Sequence, residues 1–404
     1  MSLDHSRGIE GLAAIPIDRG FQFLASGSMN KMLTSPRTFK LNFVGDVMLG
    51  RLIDQLFPTH VDEAKDAVYA ANFVRSHPQL KDYDYSTPWG STYSLFLSSD
   101  LNLINLETSA TTASKKWPNK VFNYRMHPKN IAALKAAKID YASCANNHTL
   151  DFCEEGLVDT VRTLKREGIA FAGAGESRDE ATRPAVLQLP RKRKLTEEKA
   201  LDGSDSSHEV HIYSASDHPQ DWGSVSSFHL IDYSFSTRER LKRLLNPLNA
   251  PPPALKIFSV HWGPNYSWHP SPDIHSLAHF LVDECAVDII HGHSSHHVQG
   301  VEVYKKSLII YGCGDFVDDY AVDEEYRNNM SAVWRVHVEE DGTKLRPKKL
   351  EVFPTAIRRF QAQRLEVDEK DHGWICDKVR QLSNYYDTSF ERDLDAEGQM
   401  VLNV

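Results

Sequence analysis

The chain has no Cys-x-x-Cys pair, and its five cysteines in 404 residues are too few and too odd in number for a disulfide framework. A reducing interior is the expected compartment. Cys144, Cys285 and Cys313 lie in or beside apolar stretches, where a free thiol acts as a small core residue. No stretch approaches the roughly 18 apolar residues of a membrane-spanning helix. The first 36 residues carry Asp4, Glu10 and Asp18 and lack the compact apolar segment of a secretory signal. A cytoplasmic protein with no membrane anchor is therefore expected. Positive charge is not in excess either: 46 Lys and Arg against 55 Asp and Glu leave a net charge of −9. That balance argues against general affinity for nucleic acid or acidic membrane surfaces. An anionic substrate stays open, because bound metal would dominate the local field. No internal repeat is visible.

What is present is enough apolar and aromatic material, 41% and 10% of residues, for a sizeable core. From Lys40 onward strand-like and helix-like segments alternate, which favours an α/β architecture. Helices are predicted over 130–138, over 154–167 with Gly168 as a cap, over 276–284 and over 374–384. The short period speaks for one domain over residues 38–404, preceded by an N-terminal extension over 1–37. Residues 190–207, with Arg191-Lys192-Arg193-Lys194 and a Gly/Ser/Asp cluster, read as a solvated surface insertion.

Six short apolar runs stop abruptly at acid–base or metal-capable side chains. The runs that begin at Leu41, Leu101, Tyr141, Ile257, Val287 and Leu308 stop at Asp46, Glu107, Asn147-His148, His261, His291-Gly292-His293 and Asp315. Runs of this length, rich in β-branched and aromatic residues, read as buried strands. Ligands of open α/β sheets bind beyond the carboxyl ends of strands. One edge of one sheet is therefore expected to gather these groups, which is the pattern of a metal-dependent hydrolase. Asp46, Glu107, Asn147, His261, His293 and His296 supply the mixed oxygen and nitrogen donors of a two-metal site. His148 is placed to protonate a leaving group. Arg51, at the start of a short helix, is a candidate anion-binding group. Asp151 is expected to orient the loop before it or to start the following helix, and His291 and His297 either to steady other imidazoles or to serve at the surface. His279 lies in a helix whose register favours packing.

Several of these stretches together resemble the capsule-synthesis CapA family. They are Gly45-Asp46-Val47-Met48-Leu49-Gly50-Arg51, Asn105-Leu106-Glu107-Thr108, Ala145-Asn146-Asn147-His148-Thr149-Leu150-Asp151 and Gly173-Ala174-Gly175. His261-Trp262-Gly263 and Gly292-His293-x-x-His296, with Gln299-Gly300-Val301-Glu302-x-Tyr304, complete the set. The resemblance runs in order over about residues 40–365. It implies a calcineurin-like metallophosphoesterase fold, a sandwich of two packed sheets flanked by helices, and an association with poly-γ-glutamate biosynthesis. It also implies that Asp46 is the first metal-binding aspartate, that Glu107 bridges two metals, and that Asn147 and His148 are ligand and acid. His261, His293 and His296 match the late histidine ligands. The chain departs from the family where Pro264-Asn265-Tyr266 replaces a second carboxylate and where Gly314-Asp315-Phe316 replaces Gly-Asn-Phe.

The expected activity is hydrolysis of a phosphoester or a γ-glutamyl amide by water activated between two divalent cations, Mn²⁺, Fe, Zn²⁺ or Mg²⁺. The substrate would be a small molecule or an anionic polymer. The competing expectation is a non-hydrolytic accessory of poly-γ-glutamate or γ-glutamyl peptide assembly.

Overall fold

Two sheets share the strands whose ends carry the candidate donors. The computed structural model describes residues 36–191 and 207–404. The expected extension over 1–37 lies outside the described residues as far as residue 35, and the expected insertion does so over 192–206. Residues Pro36–Val404 form one compact unit.

In chain order the first half comprises β1 (Thr38–Val47), α1 (Arg51–Leu56), α2 (Ala64–Ser76), α3 (Tyr93–Leu97), β2 (Leu101–Leu106), β3 (Ser109–Ala110) and β4 (Arg125–Met126). It continues through α4 (Ala132–Ala136), β5 (Tyr141–Ser143), α5 (Cys153–Glu167), β6 (Ala170–Ala172) and α6 (Arg178–Thr182). The second half opens with β7 (Ala185–Pro190), β8 (Ser207–Ser216), α7 (Phe235–Leu245), β9 (Leu255–His261), α8 (Pro272–Cys285) and β10 (Ile289–His293). It closes with β11 (Val301–Tyr304), β12 (Ser307–Ile310), β13 (Asp315–Val317), β14 (Met330–Asp341), β15 (Lys344–Ile357), β16 (Ala362–Arg364), α9 (Lys370–Asn384) and β17 (Met400–Asn403).

The larger sheet has the order β16-β15-β14-β1-β2-β5-β6, with β13 on β1 and β17 on β15. The smaller runs β11-β12-β10-β9-β8-β7. Strands β1, β2, β5 and β6 are parallel, and so are β8, β9, β10 and β12. The single-sheet arrangement expected from the six apolar runs is therefore corrected: three of them fall in each sheet. The reason lies in alternation. Phe39, Leu41 and Phe43 of β1 meet Ile257, Ile289 and Ile310 of the smaller sheet in one apolar layer between the sheets. Val44 and Val47 turn the other way, toward Ile53, Leu134, Leu157 and Val161 of the covering helices. On the far side, Phe258, Val260 and Ile290 meet Leu241 of α7 and Leu277 and Leu281 of α8. Burying both faces of each sheet in this way gives four layers, helix, sheet, sheet, helix, the sandwich the sequence implied.

The helices begin and end for local reasons. Ser271 caps α8 by accepting from the Ile274 amide, and Pro272 fills the first turn where no donor is lost. Gly168 ends α5 at φ 73°, in the left-handed region. The helix predicted over 130–138 is interrupted: a 3₁₀ turn over Pro128–Ile131 precedes the five residues of α4. Free cysteines Cys144, Cys285 and Cys313 are buried, as expected of core thiols.

Gly45, just before Asp46, faces the returning chain so closely that a Cβ there would stand 1.8 Å from the Gly314 carbonyl oxygen. Gly45→Ala is expected to cost about 1–3 kcal/mol or more through overpacking. Gly373→Ala, in α9 with open space around the added methyl, is expected to gain about 0.5–1 kcal/mol. Denaturant unfolding of the two variants should move in opposite directions.

Candidate metal centre

The parallel strands of both sheets point their carboxyl ends at one rim. Asp46 lies near the end of β1, Glu107 follows β2, and Asn147 and His148 lie in the loop after β5. His261 and His293 are the last residues of β9 and β10 and pair with one another in register. The sheets are tied at this rim by His291, whose Nε2 lies 2.9 Å from the Val44 carbonyl oxygen of β1. Residues far apart in the chain are thus brought within a few ångströms.

Two groups of three donors share Asp46. One is Asp46, His261 and His293, and the other Asp46, His296 and Asp315; the donor atoms of each group lie within 4.8 Å of one another. His261 Nδ1 is 2.9 Å from His293 Nδ1 and 3.7 Å from Glu107 Oε2. His296 Nδ1 is 2.8 Å from Asp315 Oδ1 and 3.9 Å from Asp46 Oδ2. Asp46 is the carboxylate common to both groups. Glu107 stands beside them, its Oε1 3.9 Å from His148 Nε2. Asn105 holds both carboxylates, donating to Asp46 Oδ1 at 2.7 Å and to Glu107 Oε2. Ser259 Oγ stands 3.1 Å from His293 Nε2 and 3.0 Å from His291 Nδ1.

The electrostatics of this cage are unbalanced without cations. Burial pushes the carboxyl pKa of Asp46 up, and the neighbouring Asp46 charge adds to burial in raising Glu107 and Asp315 well above the usual range. Burial likewise pushes His261 and His293 well down and lowers His296. Four buried oxygens, Asp46 Oδ2, Glu107 Oε1, Asn147 Oδ1 and Asp315 Oδ2, have no hydrogen-bond partner among the described residues. Buried acceptors are normally satisfied. Three imidazoles held in their neutral, ligating form beside the unsatisfied oxygens of Asp46, Glu107 and Asp315 are a donor set that fits divalent cations.

At the rim, His148 Nδ1 is 2.7 Å from Asp151 Oδ2, and the ring stacks on Tyr124 at 4.0 Å between centroids. Asp151 also accepts from the Tyr124 amide and is paired with Lys120, whose Nζ lies 3.1 Å from His148 Nδ1. Burial pushes His148 down to about 4. A cleft of about 530 Å³ opens here, lined by Arg51, Lys120, Tyr124, Asn147, His148, Asn265, Tyr266 and His296. Arg51 stands at its mouth, outside the cage, 3.5 Å from Asp319 and one-third exposed. A second opening beside Asn147 is lined by Asp217, His218, Tyr233 and Asn265.

His218 was not among the expected site residues, and Asp315, which ends the sixth apolar run, was open between a restored carboxylate and a turn cap. Asp315 pairs in register with Asp46 across β13 and β1, and the Gly-Asp-Phe departure was its signal. His218 bonds Asp217, and its ring lies 5.1 Å from that of His261. It too follows a strand, β8, but Ser214-Ala215-Ser216 blunts the apolar run that would have marked it. Trp262 is core, donating to the Tyr311 carbonyl oxygen, and His297 bonds Val298 away from the cage.

Fold and site together define a two-sheet α/β sandwich with a candidate metal centre where the sheets meet. Residues 40–320 match the family described as bacterial capsule synthesis protein PGA_cap. A probable polyglutamine synthesis accessory protein of Mycobacterium tuberculosis is 30% identical over 376 residues, covering 88% of this chain and 94% of the relative. The capsule biosynthesis protein CapA of Bacillus anthracis is 27% identical, covering 79% of this chain and 67% of that protein. The PGA biosynthesis protein CapA of Bacillus subtilis is 23% identical, covering 85% and 78%. Among solved structures, a calcineurin-like phosphoesterase from Bacillus subtilis aligns with a TM-score of 0.41 at 10% identity, over 87% of this chain and 99% of that one. The chain belongs to the bacterial capsule synthesis family, PGA_cap. No helix among the described residues is long and apolar enough to cross a membrane.

Proposed function

We propose that this protein is a metal-dependent hydrolase of a phosphoester or a γ-glutamyl amide. Its ions are held by Asp46, Glu107, Asn147, His261, His293 and His296, with Asp315 as a further donor. The observation that carries the reading is the pair of buried donor groups that share Asp46, with unsatisfied carboxylate oxygens on Asp46, Asp315 and the adjoining Glu107. Divalent cations in such a cage polarise a substrate oxygen and lower the pKa of water toward about 7.

The chain's own groups supply the rest. His148 Nδ1–H is donated to Asp151, which fixes the ring and leaves Nε2 facing the Glu107 side. With its pKa near 4 the free ring rests neutral at pH 7. An anionic substrate beside it raises that value, so protonation of His148 and transfer of its proton to the leaving atom are coupled to binding. Arg51 and Lys120 line the same cleft and attract that anion. A larger groove of about 640 Å³, reached past Arg51 and Tyr124, adds Lys65, Lys116 and Arg125, interspersed with Glu63 and Asp66.

That groove also favours a second reading, a non-hydrolytic accessory that binds an anionic chain while another protein performs the chemistry. A relative named as a synthesis accessory protein supports it. Metal analysis of the purified protein and of His293→Ala tests the cage: the variant is expected to lose metal that the parent holds. Equal metal in both, or none in either, overturns it. Metal-loaded protein is then offered a phosphodiester and a γ-glutamyl peptide. Cleavage of either supports the hydrolase; survival of both with measurable binding of an anionic polymer supports the accessory.

A further inference from the structure

The sequence places His279 in a packing register, yet its side chain leaves the core. Its Nε2 lies 2.8 Å from Glu302 Oε1 of β11. One helical turn earlier, His275 presents its own Nε2 to the other carboxylate oxygen at 3.6 Å. That separation is too long for a hydrogen bond, so hydrogen bonding does not account for the position of the second ring. Residues four apart on a helix share a face, and here both imidazoles and the carboxylate bring their donor atoms within 4.8 Å of one another.

We propose that His275, His279 and Glu302 form a second, separate transition-metal site, where α8 passes the edge strand β11 of the smaller sheet. It shares no residue with the cage at the strand ends and goes beyond the activity proposed above. Two imidazoles and one carboxylate, open to solvent on the remaining side, are a three-ligand set for zinc or a neighbouring transition metal. Magnesium and calcium prefer oxygen.

The surroundings hold these donors in place. Tyr311 Oη donates to Glu302 Oε2 at 2.6 Å and fixes the carboxylate. Tyr304 stacks on His279 with 3.7 Å between centroids and an interplanar angle of 9°. Tyr386 lies nearly parallel to His275 at 5.7 Å. Such outer partners orient ligand rings and raise metal affinity. His275 and His279 are 39% and 25% exposed at the side chain, so an ion can enter, while Glu302 is buried at 9%. Burial and the neighbouring His279 lower the pKa of His275, favouring its neutral ligating form. An ion here joins α8 to β11 and thereby clamps a covering helix to its sheet.

Zinc binding to the whole protein tests the proposal. His275→Ala removes a half-exposed ring and is expected to fold; Glu302→Gln keeps the carboxylate's shape without its charge. Wild type is expected to take up one zinc more than either variant, with at least a tenfold loss of affinity at this site, while His293→Ala keeps that zinc. Crystals soaked in zinc should show an anomalous peak between His275, His279 and Glu302. Equal zinc content in wild type and His275→Ala overturns the proposal. So does the absence of that peak, whether or not the strand-end cage is filled.

Discussion

Asp46→Asn is expected to empty the strand-end cage of metal and, once metal is absent, to leave the protein more stable than its parent. Asp46 is shared by both donor groups, so its loss removes a ligand from each. Its cost in the metal-free fold follows from burial beside two other acids. A raised folded pKa means that the carboxylate destabilises the fold at pH values above its unfolded pKa of 3.8. That penalty is absent below pH 3.8, grows as pH rises toward the folded value, and is complete above it. An asparagine keeps the acceptor for Asn105 Nδ2 and removes the charge that raises Glu107 and Asp315. The gain at neutral pH is expected to be about 1–3 kcal/mol, shrinking on acidification. The buried histidines oppose this trend: their lowered pKa values withdraw stability below about pH 6.5. They are common to both proteins, so the difference between variant and parent reports the loss of the Asp46 charge, its effect on Glu107, Asp315 and His296 included. Chelator-treated samples followed by thermal unfolding between pH 5 and 8 measure it. A less stable metal-free variant at neutral pH contradicts the cage.

His148→Asn is expected to lower kcat by about 10²–10⁴ with metal content unchanged. The ring belongs to neither metal group and stands 3.9 Å from Glu107 Oε1 beside them, so its removal is expected to leave the cage intact. Asp151→Asn acts one step further out. The Nδ1 partner becomes an amide, Lys120 loses its ion pair and Tyr124 loses a charged acceptor. A fall of about 10–100-fold is expected, as for outer partners elsewhere, with part of the loss in stability. Rates on a substrate with a better leaving group separate the two effects: the His148→Asn deficit shrinks there, because less proton donation is needed. An unchanged rate in His148→Asn removes this residue from the chemistry.

Much of this arrangement was legible along the chain, because each run of apolar residues ended where a strand ends. Asp46, His261 and His293 lie at or near strand ends that the run of residues marked. Which strands shared a sheet was not legible. A parallel strand buried on both faces is apolar throughout, so nothing in Leu41–Val44 or Ile257–Val260 says which neighbour it joins. Asp315 was ambiguous for a related reason: a Gly-Asp pair serves a turn as well as a ligand, and only its register with Asp46 decides its place. Arg51 was chosen for charge at a helix start, whereas Asp319, more than 260 positions later, holds it at the cleft mouth. His279 shows the limit of helical periodicity, which assigns a face but not the strand that the face meets.

The rim where the two sheets converge has a mechanical side. Asp46, Glu107 and Asn147 stand on one leaf, His261 and His293 on the other, and His291 supplies a direct link between them. Filled with cations, the rim is a latch drawing two leaves shut; stripped of them, it confronts several buried acids with one another. Amide exchange along Leu41–Val44 and Ser259–His261 should therefore quicken on chelation well before the outer helices loosen.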